Sequence, residues 1–409
     1  MRMIGMCLTA LALPGAGWAK PMTYDDAVAR AVADAPLSED ARLRIDSARL
    51  AAQAAGSLPD PRLTMSLENF PISGPPALSP SKEEMTMARI GVEQEIPNPA
   101  KRRAARSLAR ADMTVAQAEA IAELRRVRLG AALAWIDLAY AERRLALVDR
   151  LLNELRPLAG SANASVVSGS ARPAQTLDAS QAVALMEDRR SALAADRERA
   201  RAMLSRWTGD PSPSLSGDPP QLLVHPATLR AALEQHPTVS SASASLRRAE
   251  AEIQMARAEK RPDFGLEVAY GRRSPRFGDM VSAGVSVSLP LFAGRRQEPL
   301  VSARRADAAR ALAQREDARR ALIADLDARL ADHVMHHEQW MRAREVLLPL
   351  ARQRVELETA SYGASRASLV EVLQAHAMLA DAELTALDRE AEVARDAAQL
   401  TIGFGRDPQ

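Results

Sequence analysis

Phe264-Gly265-Leu266-Glu267-Val268-Ala269-Tyr270 and, beyond 271–280, Val281-Ser282-Ala283-Gly284-Val285-Ser286-Val287-Ser288-Leu289 decide the reading of this chain. In both, an apolar residue alternates with a small or polar one, the period of a strand with unlike faces. The first half carries the same pattern: Leu63, Met65 and Leu67 alternate with Thr64, Ser66 and Glu68, and Ala88, Ile90 and Val92 with Arg89, Gly91 and Glu93. Alternation of this kind also belongs to sheets of soluble proteins. Two features favour tilted membrane strands instead: the second face is Ser, Gly, Thr and Glu, which suits a wet lumen, and the strands come as hairpins between very long helices. Four strands do not close a barrel and lipid tolerates no open edge, so several chains must contribute to one barrel. The reading places Ile90, Val92, Leu266, Val268, Val285 and Val287 against lipid and Glu93, Glu267, Ser286 and Ser288 toward the lumen. Phe70 and Tyr270 then fall at one rim and Phe264 and Phe292 at the other, as in an aromatic girdle.

Outward from the strands, the chain repeats itself at an offset near 200 residues. Ala35-Pro36 matches His236-Pro237, and Leu58-Pro59-Asp60-Pro61 matches Lys260-Arg261-Pro262-Asp263. Ile96-Pro97 with Lys101-Arg102-Arg103 matches Leu289-Pro290 with Gly294-Arg295-Arg296, and Gly169 matches Ser365. Each copy reads as a helix (about 23 to 57 and 226 to 260), a strand pair, a very long helix, a hairpin tip and a returning helix. Val127, Ala131, Trp135, Leu138, Leu145, Val148 and Leu152 mark the apolar stripe of the first long helix. Leu322, Leu326, Leu330, Val334, His337, Met341 and Leu347 mark the second. Rods of roughly 55 to 60 residues would be about 80 to 90 Å long. The expected layout is a leader over 1–19, a first repeat over 20–210 with strands about 61–69 and 86–96, a linker over 211–225, and a second repeat over 226–409 with strands about 262–270 and 281–290.

Composition agrees with solvated helices packed through Ala and Leu: aromatics are 3%, charged residues 26%, and the net charge is +2. So small a net charge argues against a nucleic-acid partner. The opening MRMIGMCLTALALPGAGWA reads as a signal peptide cleaved after Ala19. The single cysteine, Cys7, lies inside it in a poorly formed lipidation setting, so the mature chain would have neither disulfides nor thiolate metal sites.

In their order and spacing, Glu93-Gln94-Glu95-Ile96-Pro97 leading to Lys101-Arg102, Ser288-Leu289-Pro290-Leu291-Phe292-Ala293-Gly294-Arg295-Arg296, and the tip from Tyr362 to Ala375 resemble the TolC family of outer-membrane efflux proteins. The resemblance implies a mainly α fold with membrane β: a homotrimer whose repeated units build a 12-stranded β-barrel in outer-membrane lipid and a coiled α-helical tunnel in the periplasm. It also implies docking to an inner-membrane pump of the RND type through a periplasmic adaptor, or membrane fusion protein. Pro97, Pro99, Lys101 and Arg102 are similar to the branch serving heavy-metal pumps, although Asn98 and Ala100 stand where that branch commonly has an aromatic residue and a glycine.

The sequence carries no nucleophile elbow, phosphate loop or paired-carboxylate setting, so neither an enzyme nor a cofactor is expected. His333, His336 and His337 form one local group, with His333 and His337 a helical turn apart as weak metal-ligand candidates against a plain surface patch. The tips Val167-Ser168-Gly169-Ser170 and Gly363-Ala364-Ser365-Arg366 are the expected adaptor-docking surface, with Gly allowing the reversal. From the resemblance, Glu371 with Gln374 one turn on would line a periplasmic gate; the plainer reading is a solvated Glu371 paired with Arg366 or a neighbouring chain. Three functions stay open: an exit duct leaning to metal cations, an exit duct for drugs or type I protein secretion, and a periplasmic coiled-coil scaffold without transport. An adaptor would carry one helical hairpin between β regions, against which the two-fold repeat argues.

Overall fold

The computed structural model describes residues 21–167 and 174–405; the expected leader, Ser168, Gly169 and Ser170 lie outside them. The described chain is mostly helical with one antiparallel sheet, and it divides into two compact units.

Of the described residues, one unit comprises 36–125, 226–327 and 404–405. It holds helix α2 (Pro36–Ala54), strands β1 (Arg62–Glu68) and β2 (Met87–Ile96), the first part of α3 (Pro99–Val167), α5 (Pro226–Ala232), α6 (Pro237–Ala258), strands β3 (Phe264–Arg273) and β4 (Met280–Val287), and the first part of α7 (Gln297–Arg342). The four strands form one sheet in the order β1-β2-β3-β4. The two hairpins are thus joined through β2 and β3, where alternation alone suggested separate hairpins. β3 runs on to Arg273 and β4 stops at Val287, which shortens the loop between them and leaves Ser288 and Phe292 outside the strand.

Of the described residues, the other unit comprises 21–35, 126–167, 174–225 and 328–403. It contains α1 (Tyr24–Asp34), most of α3, α4 (Ala174–Thr208), the end of α7, a π-helical turn Ala343–Leu347, α8 (Leu348–Gly363) and most of α9 (Leu369–Phe404). Its core is two clusters along α3, α4 and α9. One gathers Val148, Leu151, Leu152, Leu373 and Leu384; the other gathers Trp135, Ile136, Leu138, Leu204 and Ala398. Trp135 is fully buried, and its indole N–H donates to the Met22 carbonyl at 3.1 Å. Gly130 lets α4 approach α3, because a Cβ there would collide with the Trp207 ring.

Three expectations need correction. The opening helix of each copy is broken: α1 ends before Pro36, and α5 with a short 3-10 turn ends before Pro237. Pro lacks an N–H and pushes the preceding residue out of the helical region, and Ala35 and His236 are both extended with ψ 134° and 138°. The second long helix carries a π turn just ahead of Pro349, which cannot donate to the carbonyl four residues back. Its apolar stripe is buried at Leu322, Leu326 and Leu330, yet Val334 and Leu347 are exposed at 57% and 48%.

Candidate functional site

The strand register sorts the sheet into two unlike faces. Leu63 stands opposite Val92 and Met65 opposite Ile90; Ile90 faces Tyr270, Val92 faces Val268, and Leu266 faces Val285. Paired residues of an antiparallel sheet lie on the same side, so Ile90, Val92, Leu266, Val268, Val285 and Val287 share one face. That face is uncovered: Met65 is 70% exposed, Val281 74% and Val285 69%. Phe264 and Tyr270 end its stripe on β3.

The opposite face is polar and shallow. Glu93 pairs with Glu267, Gly91 with Ala269, and Gly265 with Ser286. A Cβ on Gly91 would lie 2.9 Å from both Ala269 Cβ and Thr64 Oγ1. Arg89 crosses this face, donating to Glu68 Oε1 on β1 at 3.1 Å and to Glu267 Oε1 on β3 at 2.7 Å. At the end of this face nearest Ile96, a cavity of about 230 Å³ is lined by Asp60, Arg62, Glu93, Glu95, Asp263, Ser286 and Ser288 among others.

The Pro97 to Arg102 segment forms a joint between the copies. Asn98 is buried; its Oδ1 accepts from the Lys101 N–H at 2.9 Å and caps α3, with Pro99 filling the first helical position. Its amide donates to the Ala258 carbonyl at 3.2 Å and to Asp263 Oδ1 at 2.9 Å, and its backbone N–H donates to the same oxygen at 2.7 Å. Lys101 Nζ reaches Asp263 Oδ2 at 3.1 Å, and Arg102 donates to the Gly56 carbonyl at 2.9 Å. Gly56 has φ +69°, and a Cβ there would sit too close to Arg102 and Arg106. Sequence reading missed this joint, although Asn followed by Pro ahead of a helical run is a start signal.

Of the two tips, only the second is described beyond the backbone of Val167. There the residue that reverses the chain is Ser365, with φ 57°, while Gly363 remains the last residue of α8; the reversal attributed to glycine is a serine's here. The turn is closed by the Arg366 N–H donating to the Ser361 carbonyl at 2.8 Å. Glu371 caps its own helix: its Oε2 accepts from the Ser368 N–H at 2.6 Å and from the Ser368 hydroxyl at 3.0 Å, while its N–H donates to Ser368 Oγ at 3.4 Å. Ser-x-x-Glu ahead of an apolar run is a capping box, a signal present in the sequence and not used. These bonds hold the Glu371 carboxyl below its ordinary range. Gln374 is exposed one turn on.

His333 and His336 both lie near Asp396, with Nδ1 atoms 3.9 and 2.7 Å from its Oδ2, and the His333 and His337 rings are 6.5 Å apart. His336 Nδ1 meets Asp396 Oδ2 at 2.7 Å, His337 packs edge-on to Trp340, and burial lowers the affinity of His333 for a proton despite nearby Asp396. Among the described residues, no group of three or more His, Cys, Asp and Glu side chains is placed to hold a metal ion. Among the same residues, no helix is long and apolar enough to cross a membrane.

Residues 228–405 match the family model described as outer membrane efflux protein. No curated protein sequence matches the chain. Among solved structures, the chain is similar to a membrane protein from Pseudomonas aeruginosa, at 18% identity with a TM-score of 0.81 over 93% of this chain and 90% of that one. It is similar to CusC, at 16% identity and 0.80 over 97% and 96%. It is likewise similar to the MtrE outer membrane channel of Neisseria gonorrhoeae in its open state, at 18% and 0.78 over 94% and 90%. At such identities the likeness carries the fold. The family is one of efflux channels, not of enzymes. The matched residues 228–405 hold β3, β4 and the helices that follow them, and over this part the chain is similar to the outer membrane efflux protein family, whose place is the outer membrane.

Proposed function

We propose that three copies of this chain close a 12-stranded barrel in the outer membrane and form a passive exit duct, fed by an inner-membrane pump through a periplasmic adaptor. The observation that carries this reading is the uncovered apolar face running across all four strands. A sheet of soluble proteins buries such a face, whereas a barrel in lipid requires it outward. Ile90, Val92, Leu266, Val268, Val285 and Val287 are the lipid contacts in this reading. Unpaired edges at β1 and β4 call for neighbours, and copies of the chain supply them. The exposed residues Val334, Val346, Leu347, Leu350 and Leu357 of the second long helical run favour the same self-association.

Within this duct, Glu371 and Gln374 line the periplasmic gate. The tips Val167 to Ser170 and Gly363 to Arg366 meet the adaptor. The Pro97, Pro99, Lys101 and Arg102 pattern leans the cargo toward metal cations, as does the excess of carboxylates on the polar sheet face. The two repeats, 20–210 and 226–409, act as equivalent staves of one wall. Density-gradient fractionation of cells producing the full chain, with gel mobility before and after heating, tests this: a heat-sensitive trimer in the outer membrane fraction is expected. Recovery as a monomer in the periplasmic extract would overturn it and favour the scaffold.

A further inference from the structure

We infer that Arg89, clamped between Glu68 and Glu267, sets the charge selectivity of the barrel lumen, making the strand region itself a filter for small ions. This rests on the duct proposed above. The register puts Arg62, Glu68, Arg89, Glu93, Glu95, Glu267 and Arg273 on the polar face. Three arginines stand against four glutamates, a net charge of −1 per copy. The other two arginines stand at the ends of the face. Arg62 stands opposite Glu93 in the register, at the end nearest Ile96, and Arg273 is turned to the loop carbonyls of Phe277, Gly278 and Glu84.

Arg89 lies midway along the face between carboxylates of two neighbouring strands, at 3.1 Å from Glu68 and 2.7 Å from Glu267, with about a quarter of its side chain exposed. It also offsets a repulsion built into the register, since Glu93 and Glu267 stand directly opposite one another. Its surroundings keep it in the passage. Gly91, Gly265, Gly271 and Gly284 make the same face shallow, and a Cβ on Gly284 would come within 3.8 Å of Glu267 Oε2. Met87 is the large apolar side chain beside the clamp, its sulfur lying against Gly271, the register partner of Arg89, and the glycines add none of their own. Repeated by symmetry, the clamp becomes a ring of fixed charge in a low-dielectric wall, the arrangement that selects ions by sign.

The test is the reversal potential of full-length trimers in planar bilayers under a potassium chloride gradient. The unaltered duct is expected to prefer cations. Arg89→Gln raises the cation-to-anion permeability ratio about five-fold at roughly 0.1 M salt, and Glu267→Gln lowers it by a similar factor. Arg272→Gln removes the same charge one residue away from the level of Arg89 but on the apolar face, opposite Ala88, and leaves the ratio unchanged. Conducting trimers whose ratio is unmoved by both Arg89→Gln and Glu267→Gln would overturn the clamp as filter, as would an equal shift from Arg272→Gln. Failure of the unaltered chain to conduct at all would instead overturn the duct.

Discussion

An arginine placed at Val285 separates a membrane sheet from a wet one. Val285 stands opposite Leu266, inside an apolar stripe bounded on its own strand by Val281 and Val287, and it is 69% exposed in a single chain. If water covers that face, Val285→Arg changes an exposed strand position and costs within about 0.5 kcal/mol. If lipid covers it, the guanidinium lies near the middle of the stripe and costs about 2 to 4 kcal/mol per copy. At 1.4 kcal/mol per factor of ten, this is roughly a 30- to 700-fold loss in the folding equilibrium, repeated in every copy of an assembly. Ser286 is the matched control. It is the next residue, it faces the other way, and it lies over Gly265, whose missing side chain leaves space for a longer one. Ser286→Arg should cost no more than about 1 kcal/mol. Denaturant titration of protein inserted in vesicles, followed by protease protection of the strands, measures both variants. Equal midpoints for Val285→Arg and Ser286→Arg would refute the face assignment, whatever their absolute values.

Asn98→Ala removes a helix cap and strands the part-buried Asp263 contacts, and should cost about 2 to 3 kcal/mol by thermal unfolding; Asn98→Asp should be worse, since it sets a carboxylate against Asp263. Ser365→Gly should raise stability by up to about 1 kcal/mol, because serine holds the left-handed turn only with strain; a loss on calorimetry would contradict the turn. The Glu371 carboxyl is held below its ordinary range by Ser368, so its contribution is present above that range and disappears as pH falls through the lowered value. Amide exchange in the first turn of α9 should therefore speed up on acidification, and Glu371→Gln should flatten that dependence.

The strands were legible in the sequence because alternation is a two-residue pattern that needs no partner to be seen. Leu266, Val268 and Tyr270 declare one face by themselves, and the register then had to bring Val92 and Ile90 alongside them. What alternation could not say is that β2 would pair with β3 across a sequence distance of some 170 residues, beside the Asn98 joint that ties the end of β2 to the start of β3. That joint is made by a buried polar residue, and single polar residues have no periodicity to betray them. The helices show the same division. Stripes at three- and four-residue steps announced α3 and α7, but the breaks before Pro36 and Pro237 and the π turn before Pro349 are local backbone effects that override a continuous stripe.

At the candidate gate the same side chain also has a structural role. Glu371 was singled out for its place after the tip, and its carboxylate turns out to be spent on Ser368, so one group both starts α9 and offers charge. A carboxylate that accepts hydrogen bonds from its own backbone is kept ionised and kept in place, which are the two conditions a selective ring needs. The apolar stripe of the second helix makes the complementary point. Leu322, Leu326 and Leu330 find cover within the chain and Val334 and Leu347 do not, although the periodicity runs through all five without a change. The pattern encodes burial without saying by whom, and where one chain leaves it unmet, a second copy is the cheapest source of a matching stripe.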